Sequence, residues 1–114
     1  MIVAVGFLVA AAVGAVARAA IGHGLNRPGR LAWGTLVINV SGSFALGLLA
    51  TVSAPAATIV GTGLLGAYTT FSSFARDVVA ALESRQYVVA TVYVVASLAL
   101  SITAAWLALA LVGA

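Results

Sequence analysis

Charged residues are scarce in this sequence, and cysteine and lysine are missing altogether. Only 6% of the 114 residues are charged, whereas a soluble domain is typically about a quarter charged. Five basic and two acidic side chains cannot cover the outside of a water-soluble fold. The shortage of charge therefore argues against a soluble domain and for a surface that faces membrane lipid.

The missing residue types also exclude several chemistries. Without cysteine, the chain has neither a disulfide nor a thiolate metal site. One histidine, His23 in a polar connection, and two carboxylates supply neither a metal cage nor a nucleophile–base pair, so we do not expect an enzyme. The five arginines are scattered among apolar runs, which disfavours nucleic-acid binding and is typical of membrane boundaries.

Long uncharged runs dominate the sequence instead, and 64% of its residues are hydrophobic. The uncharged run 31–75 would be about 67 Å long as one helix. Because the hydrocarbon core of a bilayer is about 30 Å thick, this run must cross it twice, with a turn near Pro55. We therefore predict one all-α integral membrane domain over 1–114, with four transmembrane helices at about 2–20, 31–52, 56–83 and 87–112, connected at His23–Arg30, Thr51–Ala57 and Ser84–Gln86.

The arginines all fall near one end of this predicted bundle. Arg27, Arg30 and Arg85 lie in the first and third connections, and Arg18 and Arg76 lie near the same helix ends. Cytoplasmic loops of membrane proteins carry an excess of arginine and lysine. This pattern places the arginine end in the cytoplasm and both termini outside.

Two of the predicted helices carry polar stripes at four-residue spacing, which puts each stripe on one helix face. The stripes are Thr35, Asn39 and Ser43 on the second helix and Tyr93, Ser97 and Ser101 on the fourth. Serine and threonine can bond carbonyls of their own helix, but an asparagine amide is not satisfied in that way. Asn39 is therefore either a hydrogen bond between helices or part of a polar pathway. The presence of two stripes favours the pathway.

The third predicted helix has an unusual centre, because glycines and hydroxyl residues crowd the stretch 61–73. Such a helix is either kinked or broken near the bilayer midplane. A break exposes free carbonyls and N–H groups, which membranes tolerate only where protein or a water-lined cavity receives them. Phe71 and Phe74 share a face just beyond this point. Such pairs usually serve packing, but their electropositive ring edges can also contact an anion.

Three motifs relate the chain to a known family. They are Gly14-Ala15-x-x-Arg18, Gly34-Thr35-Leu36-x-x-Asn39-x-x-Gly42-Ser43-Phe44 and Gly63-x-x-Gly66-x-x-Thr69-Thr70-Phe71-Ser72-Ser73-Phe74. The third motif is highly specific in a chain of this size. With these motifs, the chain resembles the Fluc/CrcB fluoride channels over essentially its whole length.

The resemblance implies an antiparallel dimer in the cell inner (plasma) membrane, whose two pores passively export fluoride and relieve its toxicity. The third helix would be broken, with Phe71 and Phe74 lining the pores and Arg18 in the vestibule. Gly66 and Thr69 would offer backbone carbonyls to a structural Na⁺ between the subunits. The two polar stripes would line the fluoride path: Thr35, Asn39, Ser43, Tyr93, Ser97 and Ser101.

Two departures from the family pattern matter. Ala75 and Asp77 stand where the family often has serine and glutamate, so position 75 offers no hydroxyl. The one-sided arginines also differ from the near-balanced charge of family members that insert in both orientations. The partner is therefore either a second copy of opposite orientation, giving a homodimer, or an oppositely oriented paralogue, giving a heterodimer.

Two other functions suit a small four-helix membrane protein. A small multidrug proton antiporter needs a carboxylate inside the membrane. Here Asp77 and Glu83 lie near the end of the third predicted helix, and the first helix has none. A non-catalytic membrane scaffold would need neither Asn39 nor a hydroxyl-rich third helix. The residues favour the channel over both alternatives.

Overall fold

The computed structural model describes residues 1–27 and 30–114, and all regular secondary structure in these ranges is helical. The helices are α1 (Ile2–Leu25), α2 (Trp33–Leu48), a π-helical segment (Ala57–Leu65) continuing into the short α3 (Gly66–Tyr68), α4 (Phe71–Glu83) and α5 (Tyr87–Leu111). The all-helical prediction is confirmed. The predicted first connection, His23–Arg30, includes residues 28 and 29, which lie outside the described ranges.

Two helices of the described chain, α1 and α5, are long and apolar enough to cross a membrane. They have 24 and 25 residues, or about 36–38 Å at 1.5 Å per residue, against about 30 Å of hydrocarbon. Their large apolar side chains face outward, as Ile2 (86% exposed) and Trp106 (65% exposed) illustrate. An apolar exterior of this kind needs lipid or a protein partner to cover it.

The ends of the first two helices differ from the predicted positions. α1 continues to Leu25, and the Asn26 N–H still bonds the Gly22 carbonyl at 2.9 Å, so the glycines near its end do not stop the helix. α2 ends at Leu48, where turn hydrogen bonds replace helical ones, as in the bond from Val52 N to Leu49 O at 3.0 Å.

Helical structure is interrupted in the middle of the third helical region. The π-helical segment is wider than an α-helix, since the N–H of Gly66 bonds the carbonyl of Gly61, five residues back. Thr69 (φ −75°, ψ 156°) and Thr70 (φ −148°, ψ 118°) are extended. The Thr70 hydroxyl then accepts from the N–H of Ser73 at 3.0 Å and so caps the start of α4.

Glycines allow the helices to approach closely in two pairs. A Cβ on Gly14 of α1 would collide with the carbonyl of Leu64, so α1 lies against the helical stretch 57–68. A Cβ on Gly47 of α2 would come within 2.8 Å of the Ala105 carbonyl, so α2 lies along α5. Small residues at helix contacts are typical of bundles that assemble in lipid.

Candidate functional site

Asn39 on α2 forms hydrogen bonds with the non-helical part of the third helical region. Its Nδ2 donates to the Thr70 carbonyl at 2.9 Å, and its Oδ1 accepts from the Thr70 N–H at 2.8 Å. The extended backbone at Thr70 therefore has both of its polar groups paired, as burial requires. One Nδ2 proton of Asn39 remains for a further acceptor.

These contacts leave two backbone carbonyls without their helical donors. In a continuous α-helix, the N–H of Thr70 would bond the carbonyl of Gly66, and the N–H of Ser73 would bond that of Thr69. Asn39 takes the first N–H, and the Thr70 hydroxyl takes the second. Carbonyl oxygens are hard ligands of the kind that alkali and alkaline-earth cations prefer.

A cavity of about 370 Å³ opens beside this point, and we call it the phenylalanine cavity after Phe71 and Phe74 in its wall. Leucines from three helices make the rest of that wall largely apolar. Two residues of each polar stripe, on α2 and α5, meet here. Eight of the predicted site residues line it: Asn39, Ser43, Gly66, Thr69, Phe71, Phe74, Ser97 and Ser101.

Ser97 differs from two other hydroxyls of α2 and α5, those of Ser43 and Thr91. Ser43 donates to the carbonyl of Asn39 at 2.7 Å, and Thr91 donates to that of Tyr87 at 2.8 Å, as helical hydroxyls commonly do. Ser97 is 6% exposed, and its Oγ is the one buried side-chain nitrogen or oxygen in the described ranges that lacks a hydrogen-bond partner. An unpaired buried polar group costs about 1–3 kcal/mol. Its place in the cavity wall leaves this hydroxyl available to a molecule or ion that enters the cavity.

Three aromatic rings run from the open side of the phenylalanine cavity into the bundle. The ring centroids are 5.9 Å apart for Phe71 and Phe74 and 5.3 Å apart for Phe74 and Tyr93, and both pairs are tilted. Phe71 is 79% exposed, whereas Tyr93 is 2% exposed. A tilted arrangement leaves electropositive ring edges, and not only ring faces, directed at the surroundings.

A second cavity, of about 380 Å³, lies at the arginine-rich end of the bundle, and we call it the arginine cavity. The polar residues in its wall are Asn26, Arg27, Arg30, Asp77, Ser84, Gln86 and Tyr93. Two arginines against one carboxylate give this wall a net positive charge. A positive cleft raises the local concentration of anions.

A layer of partly buried hydrogen bonds borders the arginine cavity through Asn26, Asp77 and Tyr93, and Thr35 and Tyr93 in it lie one helical turn from Asn39 and Ser97 of the phenylalanine cavity. Thr35 and Tyr93 form it, and each is 2% exposed. The Tyr93 hydroxyl donates to Asp77 Oδ2 at 3.1 Å. Asn26 Nδ2 donates to Thr35 Oγ1 at 3.1 Å, and Asn26 Oδ1 accepts from the Thr35 N–H at 3.2 Å. These hydrogen bonds connect the end of α1 to α2 and, as a separate pair, α4 to α5.

Three of the predicted site residues do not line the phenylalanine cavity. Thr35 and Tyr93 lie in the layer, and Tyr93 also borders the arginine cavity. Arg18 of α1 lines neither cavity, whereas Arg27 and Arg30 line the arginine cavity.

Sequence reasoning missed two residues that hold this site together. Asn26 contacts a residue nine positions away, and no periodic pattern marks such a pair. Thr70 both receives the Asn39 amide and caps α4 through Ser73. A threonine whose hydroxyl accepts from the N–H three residues later is a common N-cap of a helix. The start of α4 could therefore have been predicted from the sequence.

The chain matches the family model described as CrcB-like protein, Camphor Resistance (CrcB), over residues 5–109. Among its relatives, the fluoride-specific ion channel FluC of Rhizobium meliloti is 42% identical, with 90% of each chain covered. Fluoride-specific ion channel FluC 1 of Symbiobacterium thermophilum is 43% identical over 90% of this chain and 91% of its own. The FluC channel of Oceanobacillus iheyensis is 36% identical over 83% and 79%, respectively.

Proposed function

Because the chain belongs to the CrcB family, we propose that it is a fluoride-selective ion channel that passively exports fluoride from the cytoplasm and so relieves fluoride toxicity. A channel is a membrane protein, and the outward-facing apolar side chains of α1 and α5 suit lipid. We assign it to the cell inner membrane as a multi-pass protein. The 57–68 stretch and α4 together form one span, interrupted at Thr69 and Thr70.

The observation that carries this proposal is the unpartnered hydroxyl of Ser97 in the phenylalanine cavity. Fluoride is small and strongly hydrated, so a pore must replace its water with hydrogen-bond donors. The Ser97 proton has no competing acceptor within the described ranges. A ring of full positive charges would hold the anion too tightly to release it, whereas separate neutral donors let it move on.

The other contacts to the ion come from the same wall and from the layer beyond it. Asn39 keeps one free Nδ2 proton, and Phe71 and Phe74 present ring edges. Ser43 and Ser101 extend the polar lining. Thr35 and Tyr93 continue the path to the arginine cavity. Arg18 adds positive potential near the arginine end from its position on α1, without lining either cavity.

We propose further that two chains assemble antiparallel, with two pores and a structural Na⁺ between them. The 79% exposure of Phe71 supports a partner that covers the open side of the phenylalanine cavity. Gly66 and Thr69 each have a carbonyl without its helical donor, so a two-fold axis at this point would bring four oxygens together. No carboxylate lines this cavity to favour a divalent ion. A cation there lowers the energy of an anion in either pore.

The charge distribution bears on which subunit the partner is. All five arginines lie towards one end, which favours a single orientation of this chain. The dimer is either a homodimer of opposite orientations or a heterodimer with an oppositely oriented paralogue. Co-expression of two differently tagged copies decides between them. Capture of one tag by the other, with termini on both faces, supports the homodimer, whereas termini on one face without capture support the heterodimer.

Growth of a bacterial strain without its own fluoride exporters tests the proposed function. Expression of the chain, alone or with the partner subunit that co-expression identifies, should restore growth in fluoride-containing medium. A matched strain expressing the same amount of the Phe71→Ile variant should remain sensitive. Failure of the wild-type chain to restore growth, with the protein present in the membrane, would contradict the proposal.

A further inference from the structure

Asn26 links the end of α1 to the start of α2. Its own N–H bonds the Gly22 carbonyl as the C-cap of α1, and its side chain bonds both the N–H and the Oγ1 of Thr35. The first turn of α2 has free N–H groups, and the N-cap residue Ala32 offers no side-chain hydrogen bond to them. Asn26 therefore caps α2 from a neighbouring helix.

The two contacts fix the orientation of the Asn26 amide. A backbone N–H can only donate, so the atom of Asn26 facing the Thr35 N–H must be the acceptor Oδ1, and the atom facing the hydroxyl is then Nδ2. Gly34 permits this close approach. A Cβ at that position would lie 2.9 Å from Asn26 Oδ1 and 3.0 Å from the Cα of Gly22.

This orientation controls the Thr35 hydroxyl proton. Nδ2 only donates, so Thr35 Oγ1 accepts and its proton is directed away from Asn26. Thr35 makes no bond to a carbonyl of its own helix in the described contacts, unlike Thr91. Among the described hydrogen bonds the Thr35 hydroxyl accepts from Asn26 but donates to no atom, and the Tyr93 hydroxyl donates to Asp77 Oδ2 at 3.1 Å. The Thr35 proton is therefore available inside the layer, where an anion is a strong acceptor.

We propose that Asn26 is a positioning residue for ion passage, which keeps the Thr35 hydroxyl proton directed into the layer. A fluoride ion that has left its water behind accepts this proton as it crosses the layer. Thr35 touches the ion, and Asn26 acts only through Thr35. The inference rests on the proposed channel function and deepens it.

Asn26→Asp separates this role from that of a structural cap. Aspartate still accepts from the Thr35 N–H, and its charge suits a helix N-terminus, so α2 keeps its cap. Its second oxygen cannot donate, so the Thr35 hydroxyl turns to donate to it. The Thr35 proton is then no longer available to an ion in the path. We expect unchanged dimer assembly and thermal stability, with fluoride efflux from liposomes about tenfold slower, as for one hydrogen bond to an ion.

Four further variants test whether the effect of Asn26→Asp on efflux acts through Thr35. Thr35→Val should slow efflux about as much, and the double variant Asn26→Asp/Thr35→Val should be no slower than Thr35→Val alone, because coupled residues are not additive. Thr91→Val removes a hydroxyl that is already bonded to its own helix and should leave efflux unchanged. Gln86→Glu places the same charge in the arginine cavity, away from Thr35, and its smaller effect should disappear at high salt.

The outcomes distinguish this inference from the proposed function. Normal efflux in Asn26→Asp, multiplied losses in the double variant, or full recovery of Asn26→Asp at high salt would each overturn the positioning role. Loss of assembly in Asn26→Asp would also overturn it, since the donor would then serve folding alone. Absence of fluoride efflux in the wild-type chain would instead remove the channel function on which the inference rests.

Discussion

The phenylalanine cavity and the arginine cavity have nearly equal volumes, about 370 and 380 Å³, but opposite chemistry. The first presents neutral donors and ring edges in an apolar wall, and its Ser97 hydroxyl is unpaired. The second presents the full charges of Arg27 and Arg30 beside Asp77. A full charge attracts an anion from a distance but holds it firmly, and neutral donors do the reverse. For the proposed fluoride channel, this difference predicts that attraction and selection of the anion occur in separate chambers.

The strongest way to break this comparison is to remove the ring edges from the first cavity. Phe71→Ile and Phe74→Ile keep an apolar side chain but abolish the electropositive edge. We expect each to slow fluoride efflux by about a hundredfold, since about 3 kcal/mol is lost at the point where the ion has least water. Gel filtration should show intact assembly. Normal efflux in both variants would show that the two rings serve only packing.

The hydroxyls of the phenylalanine cavity allow a second test. Ser97→Ala removes the unpaired donor and should slow efflux by about tenfold. Ser43→Ala is its control, because Ser43 already donates to the Asn39 carbonyl at 2.7 Å, and it should change efflux by less than about twofold. Thermal stability should rise slightly in Ser97→Ala, since a buried unpaired group disappears. Equal effects of the two substitutions would show that the hydrogen-bond state of a hydroxyl does not matter.

The proposed sodium site gives a smaller, separable effect. Protein purified without sodium throughout, in a large organic cation, should show efflux reduced about fivefold and a less stable dimer, because the anion path loses a nearby positive charge. Thr69→Ser should behave as wild type in sodium, since the ligand is a backbone carbonyl. A bulky residue at Gly66 should disrupt the site. Identical efflux and stability in both salts would argue that no sodium ion is required.

Substitutions of the arginines in the arginine cavity should slow fluoride efflux only weakly, and only at low salt. Arg27→Gln and Arg30→Gln should slow efflux about threefold at low ionic strength and leave it unchanged near 1 M salt, where the Debye length is about 3 Å. Arg85→Gln removes a charge at the same end that does not line the cavity, and serves as the control. A loss that persists at high salt would mean that these arginines touch the ion or support the fold.

Sequence periodicity predicted which site residues share a helix face, but it did not predict the contacts between residues of different helices. The four-residue spacing placed Asn39 and Ser43 on one face of α2, and both line the phenylalanine cavity. The same spacing could not show that Ser97 is unpaired while Ser43 is bonded, since that depends on local backbone and neighbouring helices.

Hydrogen-bonded pairs that are distant in sequence could not be predicted from the sequence pattern, for a physical reason. The Asn39–Thr70 contact spans 31 positions and the Asn26–Thr35 contact spans nine, and each depends on how helices meet in space. The arginines show the same limit. Position near a helix end placed Arg18, Arg27 and Arg30 alike at one side of the bundle, but only the last two line a cavity.

The most direct test of the central claim is the ratio of fluoride to chloride efflux from liposomes that contain the purified protein in its functional pairing. With the membrane potential collapsed, we expect rapid fluoride release and no chloride release above protein-free liposomes, because the proposed site replaces the water of a small, strongly hydrated anion with neutral donors. Release of both anions at equal rates would contradict selective recognition in the phenylalanine cavity.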